Sequence, residues 1–180
     1  NQWEENPDIV RYKEQKKFNS FMDIQIEFSN KMSHFIQNKG VSMMGWNEIL
    51  GTNLHADDNI NFSVPSETLA KNVIVQFWEG DINQMAMAAK DGYKLVNSYN
   101  SSTYLNYSYN TIPLSKAYEF DPIPEILPAE FHHNIIGSGC HMWGEYIYTV
   151  EDMNKQIYPR IAAYSEVFWS QKENKDYNDF

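Results

Sequence analysis

The stretch Val73-Ile74-Val75-Gln76-Phe77-Trp78 is the clearest β-strand in this sequence, because β-branched and aromatic residues fill it. Two other strand-like runs, Val41–Trp46 and Ile135–Trp143, also end in a tryptophan. A fourth run, Lys94–Ser98, is short and apolar at its centre. The sequence therefore predicts four strands, three of which carry an indole ring at their carboxyl end.

Helical patterns alternate with these strands. Phe18–Gln37 repeats its apolar residues mostly at steps of three and four, and Asp81–Lys90 starts on an acid, which the helix dipole favours. Val150–Ser170 is a third helical pattern, interrupted near Pro159. Strand and helix alternate without a hairpin signal, which predicts an α/β fold of parallel βα units.

Four such units make half of a (β/α)8 barrel, in which catalytic groups lie at the carboxyl ends of the strands. A doubly wound open sheet is the alternative fold, although no glycine-rich phosphate loop follows any strand. Leu50–Ser66 is predicted to be a polar loop, and Tyr99–Pro128 a long functional loop with a short helix near Ser115–Tyr118. The inner side of the last helix is predicted to carry Ile161, Ala162, Tyr164, Ser165, Phe168 and Trp169.

Composition narrows the classes of partner. The 180 residues carry a net charge of −10, which argues against nucleic acid or an anionic membrane as a partner. No apolar run approaches the roughly 20 residues needed to span a bilayer. The single cysteine, Cys140, excludes an internal disulfide. The five histidines lack metal-ligand spacing, so we expect no metal and no cofactor.

Aromatic and acidic residues are paired after two of the strands. Glu48 lies two residues after Trp46, and Glu145 lies two residues after Trp143. Indole faces can cover the apolar face of a pyranose ring, and carboxylates can accept hydrogen bonds from its hydroxyl groups. One tryptophan at a strand end is more often a core residue, but three at equivalent ends, with Trp78, favour a shared carbohydrate site.

A second candidate group follows the third strand. In Tyr104-Leu105-Asn106 the side chains alternate in direction, so Tyr104 and Asn106 point the same way. A phenol beside an amide suits a polar ligand, although an ordinary loop would have the same sequence. Arg160 follows Pro159 at the start of the last predicted helix. It is expected to form a structural ion pair, with Glu166 or another barrel residue as its partner.

Five motifs, taken in order, resemble those of the β-N-acetylhexosaminidases, glycoside hydrolase family 20. They are Met44–Leu50 (MGWNEIL), Val75–Trp78 (VQFW), Tyr104–Asn106 (YLN), His141–Tyr146 (HMWGEY) and Tyr158–Glu166 (YPRIAAYSE). The resemblance covers essentially residues 1–180 and implies the C-terminal half of the catalytic barrel, strands five to eight. It also implies that the family's adjacent catalytic Asp-Glu pair lies before Asn1, so that the chain is a piece of a longer protein.

The resemblance implies an exo-acting, substrate-assisted retaining glycosidase that removes terminal N-acetylhexosamine, GlcNAc or GalNAc, from an oligosaccharide or glycoconjugate. Tyr104 would donate a hydrogen bond to the acetamide oxygen of the substrate. Asn106 and Glu145 would bind the hydroxyl groups at positions four and six, and Glu48 would support the site from behind. The walls of the acetamide pocket would be Trp46, Trp78 and Trp143.

The sequence departs from the family pattern in three places. Asn47 and Asn106 stand where many members have aspartate, and a tryptophan often found before Asp121-Pro122 is missing. Without the Asp-Glu pair, the chain by itself is expected to be inactive. Its two unpaired strand edges, Val41–Trp46 and Ile135–Trp143, are expected to promote self-association. The family resemblance also implies a secreted, periplasmic or lysosomal location.

Two other functions remain open at this point. One is a non-catalytic, lectin-like module that keeps the aromatic cage and binds sugar. The other is a different barrel glycosidase that uses Glu145 as its nucleophile, although no second carboxylate is clearly placed to act as its acid.

Overall fold

The computed structural model of the chain describes residues 2–51 and 65–180. Within these ranges one sheet contains four parallel strands in the order β1-β2-β3-β4. Successive strands are neighbours, as consecutive βα units require. The strands are β1 (Met44–Trp46), β2 (Ile74–Phe77), β3 (Lys94–Asn97) and β4 (Ile135–Ser138). The helices are α1 (Gln2–Glu5), α2 (Pro7–Lys16), α3 (Met22–Gln37), α4 (Ile82–Lys90), α5 (Asn100–Thr103), α6 (Leu114–Glu119), α7 (Val150–Ile157) and α8 (Arg160–Trp169), with short 3-10 helices at Asn47–Leu50, Ala129–Asn134 and Lys172–Asn174.

The chain divides into two compact units, Asn1–Val75 and Gln76–Phe180. In the first unit, the fully buried Asp23 of α3 accepts hydrogen bonds from the backbone N–H groups of Ser20 (2.7 Å) and Glu67 (2.6 Å). This carboxylate therefore fixes the segment that leads into β2 against the start of α3. At the strand itself, the Ile74 N–H donates to the Met43 carbonyl at 2.9 Å, which joins β2 to the residue preceding β1.

In the second unit, α4 begins where the sequence predicts. The Asp81 side chain accepts from the Asn83 N–H at 2.9 Å and so caps the helix. The parallel pair of β3 and β4 aligns Leu95 with Ile135 and Asn97 with Ser138. Helices α6 and α8 pack together around a core of Leu105, Ile112, Ala117, Tyr118, Ala163 and Tyr164. Part of this core belongs to the segment after β3, so the packing of the helices also fixes that segment.

Three sequence predictions need correction. The strand predicted to reach Trp143 ends at Ser138: the Gly139 N–H still donates to the Asn97 carbonyl at 3.1 Å, but beyond it the described residues pair with the β3 side through an isolated bridge at His141. Helix α3 begins at Met22 and not at Phe18, since Ser20 forms a turn closed by Asp23. The predicted inner side of α8 is only partly correct: Tyr164 is buried and Ile161 and Phe168 pack against the core, but Ala162, Ser165 and Trp169 are exposed, Trp169 by 92%. The buried face contains Arg160, Ala163, Tyr164 and Val167.

Strand β1 is shorter than predicted, since it begins at Met44 and not at Val41, and α2 was not predicted, whereas two further predictions are confirmed. The short helix near Ser115–Tyr118 is confirmed as α6, and the interruption at Pro159 separates α7 from α8. Of the predicted polar loop Leu50–Ser66, residues 52–64 lie outside the described residues. Among the helices that the structure describes, none combines the length and the hydropathy that a membrane crossing needs.

Candidate functional site

An aromatic cluster (Trp78, Tyr104, Tyr107, His141 and Trp143) lies beyond the carboxyl ends of β2, β3 and β4. Tyr104, only 4% exposed, occupies its centre. The Trp78 ring stacks on the Tyr104 ring with centroids 6.2 Å apart and planes 10° apart. The centroids of the Trp143 and Tyr104 rings are 6.1 Å apart, and their planes are inclined at 46°. Both indole rings therefore lie beside the phenol ring of Tyr104. Three residues predicted from different strand ends are thus brought together.

Backbone pairing beyond the regular strands places Tyr104. Tyr104 and His141 form an isolated parallel bridge, in which the Leu105 N–H donates to the His141 carbonyl at 2.7 Å. The His141 N–H donates to the Thr103 carbonyl at 3.2 Å. Side chains alternate between the two faces of extended backbone. The bridge at His141 therefore fixes the direction of the Tyr104 side chain together with that of the segment leading to Trp143.

A polar network lies beside this cluster and contains His141, which the sequence analysis did not assign to the site. The Gln76 amide nitrogen lies 3.0 Å from Ser98 Oγ and 2.9 Å from His141 Nε2. Burial lowers the pKa of His141, so the neutral imidazole is favoured near pH 7. The neutral ring can accept the hydrogen bond from Gln76. The clue in the sequence was the position of His141 two residues before Trp143 in an extended run.

Gly139 makes this network possible. A Cβ atom at this position would lie 2.9 Å from Ser98 Oγ and 3.2 Å from His141 Nε2. Both distances are shorter than ordinary van der Waals contact, so any side chain would displace one member of the network. By contrast, a Cβ atom at Gly137, on β4, would have no neighbour within 4 Å among the described residues.

Two segments that follow the strands carry the other predicted contacts. We call Ser98–Ile112 the β3 loop and Gly139–Thr149 the β4 loop. In the β3 loop, Asn106 is half-buried, and its Oδ1 atom is enclosed without a hydrogen-bond donor among the described residues. In the β4 loop, Trp143 is 39% exposed and Glu145 is also exposed. Of the two predicted hydroxyl-binding residues, Glu145 is therefore more exposed to solvent than Asn106.

The first unit holds the other two predicted residues. Trp46 is the last residue of β1 and is half-buried, and Glu48 is half-buried in the 3-10 helix that follows. Asn47, between them, is fully buried. Their participation in one pocket with the aromatic cluster stays a prediction.

The expected ion pair of Arg160 with Glu166 is wrong. The Glu166 carboxylate accepts a hydrogen bond from the Tyr118 hydroxyl. Arg160 is fully buried and donates instead to backbone carbonyls, among them that of Leu105 at 2.7 Å. The helix places its guanidinium beneath the β3 loop, where carbonyl oxygens replace a carboxylate as acceptors.

Elsewhere in the second unit lies an open pocket of about 750 Å³, lined by β4, the segment 121–132, the end of α8 and the residues after it. None of the predicted site residues lines this pocket. Residues 2–51 and 65–180 contain no group of three or more His, Cys, Asp or Glu side chains arranged to hold a metal ion.

Comparison with known proteins assigns the family. Residues 1–172 match the model for the catalytic domain of glycosyl hydrolase family 20. The chain belongs to glycosyl hydrolase family 20. It is 28% identical over 169 residues to the β-hexosaminidase of Porphyromonas gingivalis, covering 88% of this chain and 20% of that protein. It is 25% identical over 158 residues to the β-N-acetylhexosaminidase of Cellulomonas fimi, covering 81% of this chain and 29% of that protein.

Solved structures of family 20 enzymes support the same fold. The Flavobacterium johnsoniae chitobiase matches with a TM-score of 0.76 and 29% identity, covering 97% of this chain and 25% of that one. A Vibrio harveyi exo-β-N-acetylglucosaminidase in complex with N-acetylglucosamine matches with a TM-score of 0.76 and 22% identity, covering 98% and 27% of the two chains. The predicted half of a (β/α)8 barrel is confirmed, and the doubly wound alternative is excluded. The chain spans less than a third of the length of these four relatives.

Proposed function

We propose that this chain forms the acetamide pocket and hydroxyl contacts of an exo-β-N-acetylhexosaminidase that acts by substrate-assisted retention. The observation that carries the proposal is the buried Tyr104, with the rings of Trp78 and Trp143 against it at the strand ends. Relatives named β-hexosaminidase and a structural neighbour bound to N-acetylglucosamine support it. Nothing in these observations favours a lectin-like module.

In this mechanism the substrate provides its own nucleophile. Its acetamide oxygen attacks the anomeric carbon, the bond to the leaving oxygen breaks, and an oxazolinium ion forms. Water then attacks the anomeric carbon and restores the acetamide, with net retention of configuration. The 180 residues contain no Asp-Glu dipeptide. We therefore assign the acid that protonates the leaving oxygen, and the aspartate that orients the acetamide, to residues outside this chain.

The residues of this chain supply positioning and electrostatic stabilisation. The Tyr104 hydroxyl donates to the acetamide oxygen, whose charge changes on the way to the transition state. Trp78 and Trp143, with Trp46 as a third wall, hold the acetamide in a reactive pose and exclude water. Asn106 and Glu145 bind the outer hydroxyl groups, which makes the enzyme exo-acting, and Glu48 supports the pocket.

The test uses the complete protein and two 4-nitrophenyl β-glycosides that differ only at position two. We expect hydrolysis of the 2-acetamido glycoside and at least a hundredfold lower kcat/KM for the 2-hydroxy glycoside, which lacks the internal nucleophile. Comparable rates for both would contradict the proposal and favour a glycosidase with a carboxylate nucleophile, such as Glu145. Binding of N-acetylglucosamine without any turnover would favour the sugar-binding module.

Self-association and cellular location stay predictions. The two strands concerned, β1 and β4, lie at the edges of the described sheet, where backbone N–H and C=O groups can pair with another chain. Sedimentation of the isolated chain tests this: a monomer with slow amide exchange at both edges would contradict it.

A further inference from the structure

Arg160 is a buried cation whose hydrogen bonds converge on the β3 loop. Its side chain is 0% exposed, and no carboxylate among the described residues forms an ion pair with it. An isolated buried charge is costly unless its hydrogen-bonding groups are satisfied. Carbonyl oxygens satisfy it here, so the energetic cost of burial is offset by tying the guanidinium to particular backbone atoms.

The acceptors lie on both sides of Asn106. Arg160 Nη2 donates to the Leu105 carbonyl at 2.7 Å, and Nη1 donates to the Tyr107 carbonyl at 2.9 Å. Nη1 also donates to the Ile112 carbonyl at 3.2 Å, which closes the far end of the loop. The planar fork therefore holds the peptide group that precedes Asn106 and the one that follows Tyr107 in one orientation.

The guanidinium is itself held in place. Its Nε and Nη2 atoms donate to the Gln156 carbonyl at 3.1 and 2.6 Å, and Nη2 also reaches the Gln156 side-chain oxygen at 2.9 Å. The Tyr109 ring lies 4.2 Å from the guanidinium carbon, within cation–π distance. Arg160 thus connects the end of α7 to the β3 loop through a rigid group.

Asn106 is the residue of this loop whose amide oxygen is available to a ligand. Its Oδ1 atom is enclosed and has no hydrogen-bond donor within the described part of the chain. An amide oxygen that is oriented before a ligand arrives can accept a hydroxyl hydrogen without further ordering of the loop. We propose that Arg160 is a positioning residue that sets the direction of Asn106 and thereby the recognition of an outer sugar hydroxyl. This inference rests on the proposed function.

Lysine cannot replace the fork, because its ammonium group is a single point charge that cannot bridge three separated carbonyls in one plane. The test therefore compares Arg160→Lys with Arg11→Lys in the complete protein. Arg11 is the only other arginine, and it is exposed and paired with Asp8 on α2. The substrates are an N-acetylglucosaminide and its 4-deoxy and 6-deoxy analogues. The analogue that reports on Asn106 is the one whose kcat/KM ratio to the parent substrate changes in Asn106→Ala.

We expect the ratio of kcat/KM between the parent substrate and that analogue to fall by about threefold to tenfold in Arg160→Lys, as one neutral hydrogen bond would predict. Arg11→Lys should leave the ratio unchanged. Hydrogen exchange measured by mass spectrometry should rise at least tenfold in peptides covering Tyr104–Ile112 of Arg160→Lys only. A lower kcat/KM with an unchanged ratio would overturn the proposal, because loss of a purely structural role lowers kcat/KM equally for all substrates.

If Arg160→Lys does not fold, Gln156→Leu provides the second variant, since it removes only the side-chain acceptor of the guanidinium. The same fall in ratio, at least twofold, is then expected, and an unchanged ratio would overturn the inference. Unaltered exchange in Tyr104–Ile112 would overturn it as well. Absence of turnover in the parent protein would count against the proposed function instead, and the exchange comparison needs no turnover.

Discussion

The β3 loop and the β4 loop leave adjacent strands in the same direction, yet they differ in packing. Tyr104 and Leu105 of the β3 loop are each 4% exposed, and Ile112 is fully buried. In the β4 loop, Tyr146 is 79% exposed and Tyr148 is 81% exposed. Order that exists before binding can favour the transition state, whereas order gained on binding weakens affinity. We therefore expect the β3 loop to govern kcat and the β4 loop to govern KM.

The largest expected effect comes from removing the phenol at the centre of the aromatic cluster. Tyr104→Phe keeps the ring but loses the donor to the acetamide oxygen. We expect kcat to fall by about tenfold to a thousandfold, the range for one preorganised hydrogen-bond donor. Steady-state kinetics on a 2-acetamido glycoside measure it. Tyr107→Phe makes the same chemical change three residues later, on a ring 5.9 Å from Tyr104, and should cost less than threefold in kcat. Equal losses would remove Tyr104 from the mechanism.

The next effect tests the packed beginning of the β4 loop. Gly139→Ala places a methyl group against Ser98 and His141, which should cost about 1–3 kcal/mol of unfolding free energy through overpacking. Gly137→Ala is the matched control, because its methyl group meets nothing within 4 Å in the described residues. Chemical denaturation of both variants measures the difference. If the two variants are equally stable, the network of Gln76, Ser98 and His141 does not constrain the site.

A smaller effect is expected at the exposed carboxylate of the β4 loop. Glu145→Gln keeps the shape and removes the charge, so KM should rise by about threefold to tenfold with kcat within twofold, since a charge-assisted hydrogen bond to substrate is weakened. Glu151→Gln, on α7, is an exposed control that should alter neither constant. A fall in kcat alone would mean that Glu145 acts in the chemical step. It would contradict the assignment of kcat to the β3 loop and KM to the β4 loop.

The smallest effect is expected furthest along the β4 loop. Tyr148→Ser removes a ring that is 81% exposed, so the unfolding free energy should change by less than about 0.5 kcal/mol. Thermal unfolding at a fixed scan rate measures it. A loss above 1 kcal/mol would mean that Tyr148 packs against the rest of the protein and that the β4 loop is as ordered as the β3 loop.

The sequence allowed the fold class and the positions of β2 and α4 to be predicted because their signals are local. The apolar run ending at Trp78 and the acid that caps α4 at Asp81 act within a few residues, and both elements are confirmed. The resemblance gave the family, and the family model confirms it. The roles assigned to the site residues stay predictions, although the structure brings Trp78, Tyr104 and Trp143 together.

Other features depend on contacts between distant segments and could not be predicted from spacing. The acceptors of Arg160 are carbonyl groups, which every residue has, so no side chain in the sequence marks them. The buried face of α8 was only partly predicted for the same reason: Arg160 is a charged residue in an interior position that hydrophobic periodicity assigns to apolar residues. His141 was missed because its only signal was its position two residues before Trp143, and its contact with Gln76, itself bonded to Ser98, cannot be predicted from spacing.

The three β3-loop carbonyls that accept hydrogen bonds from Arg160 also have an evolutionary consequence. An extended chain advances about 3.3 Å per residue, so one insertion or deletion between Leu105 and Ile112 would move at least one carbonyl out of reach. The length of this segment is therefore constrained, so new substrate preferences would arise in it by amino-acid substitution. Changes of loop length, one form of the loop variation by which barrels acquire new chemistries, are left to the segment that follows β4.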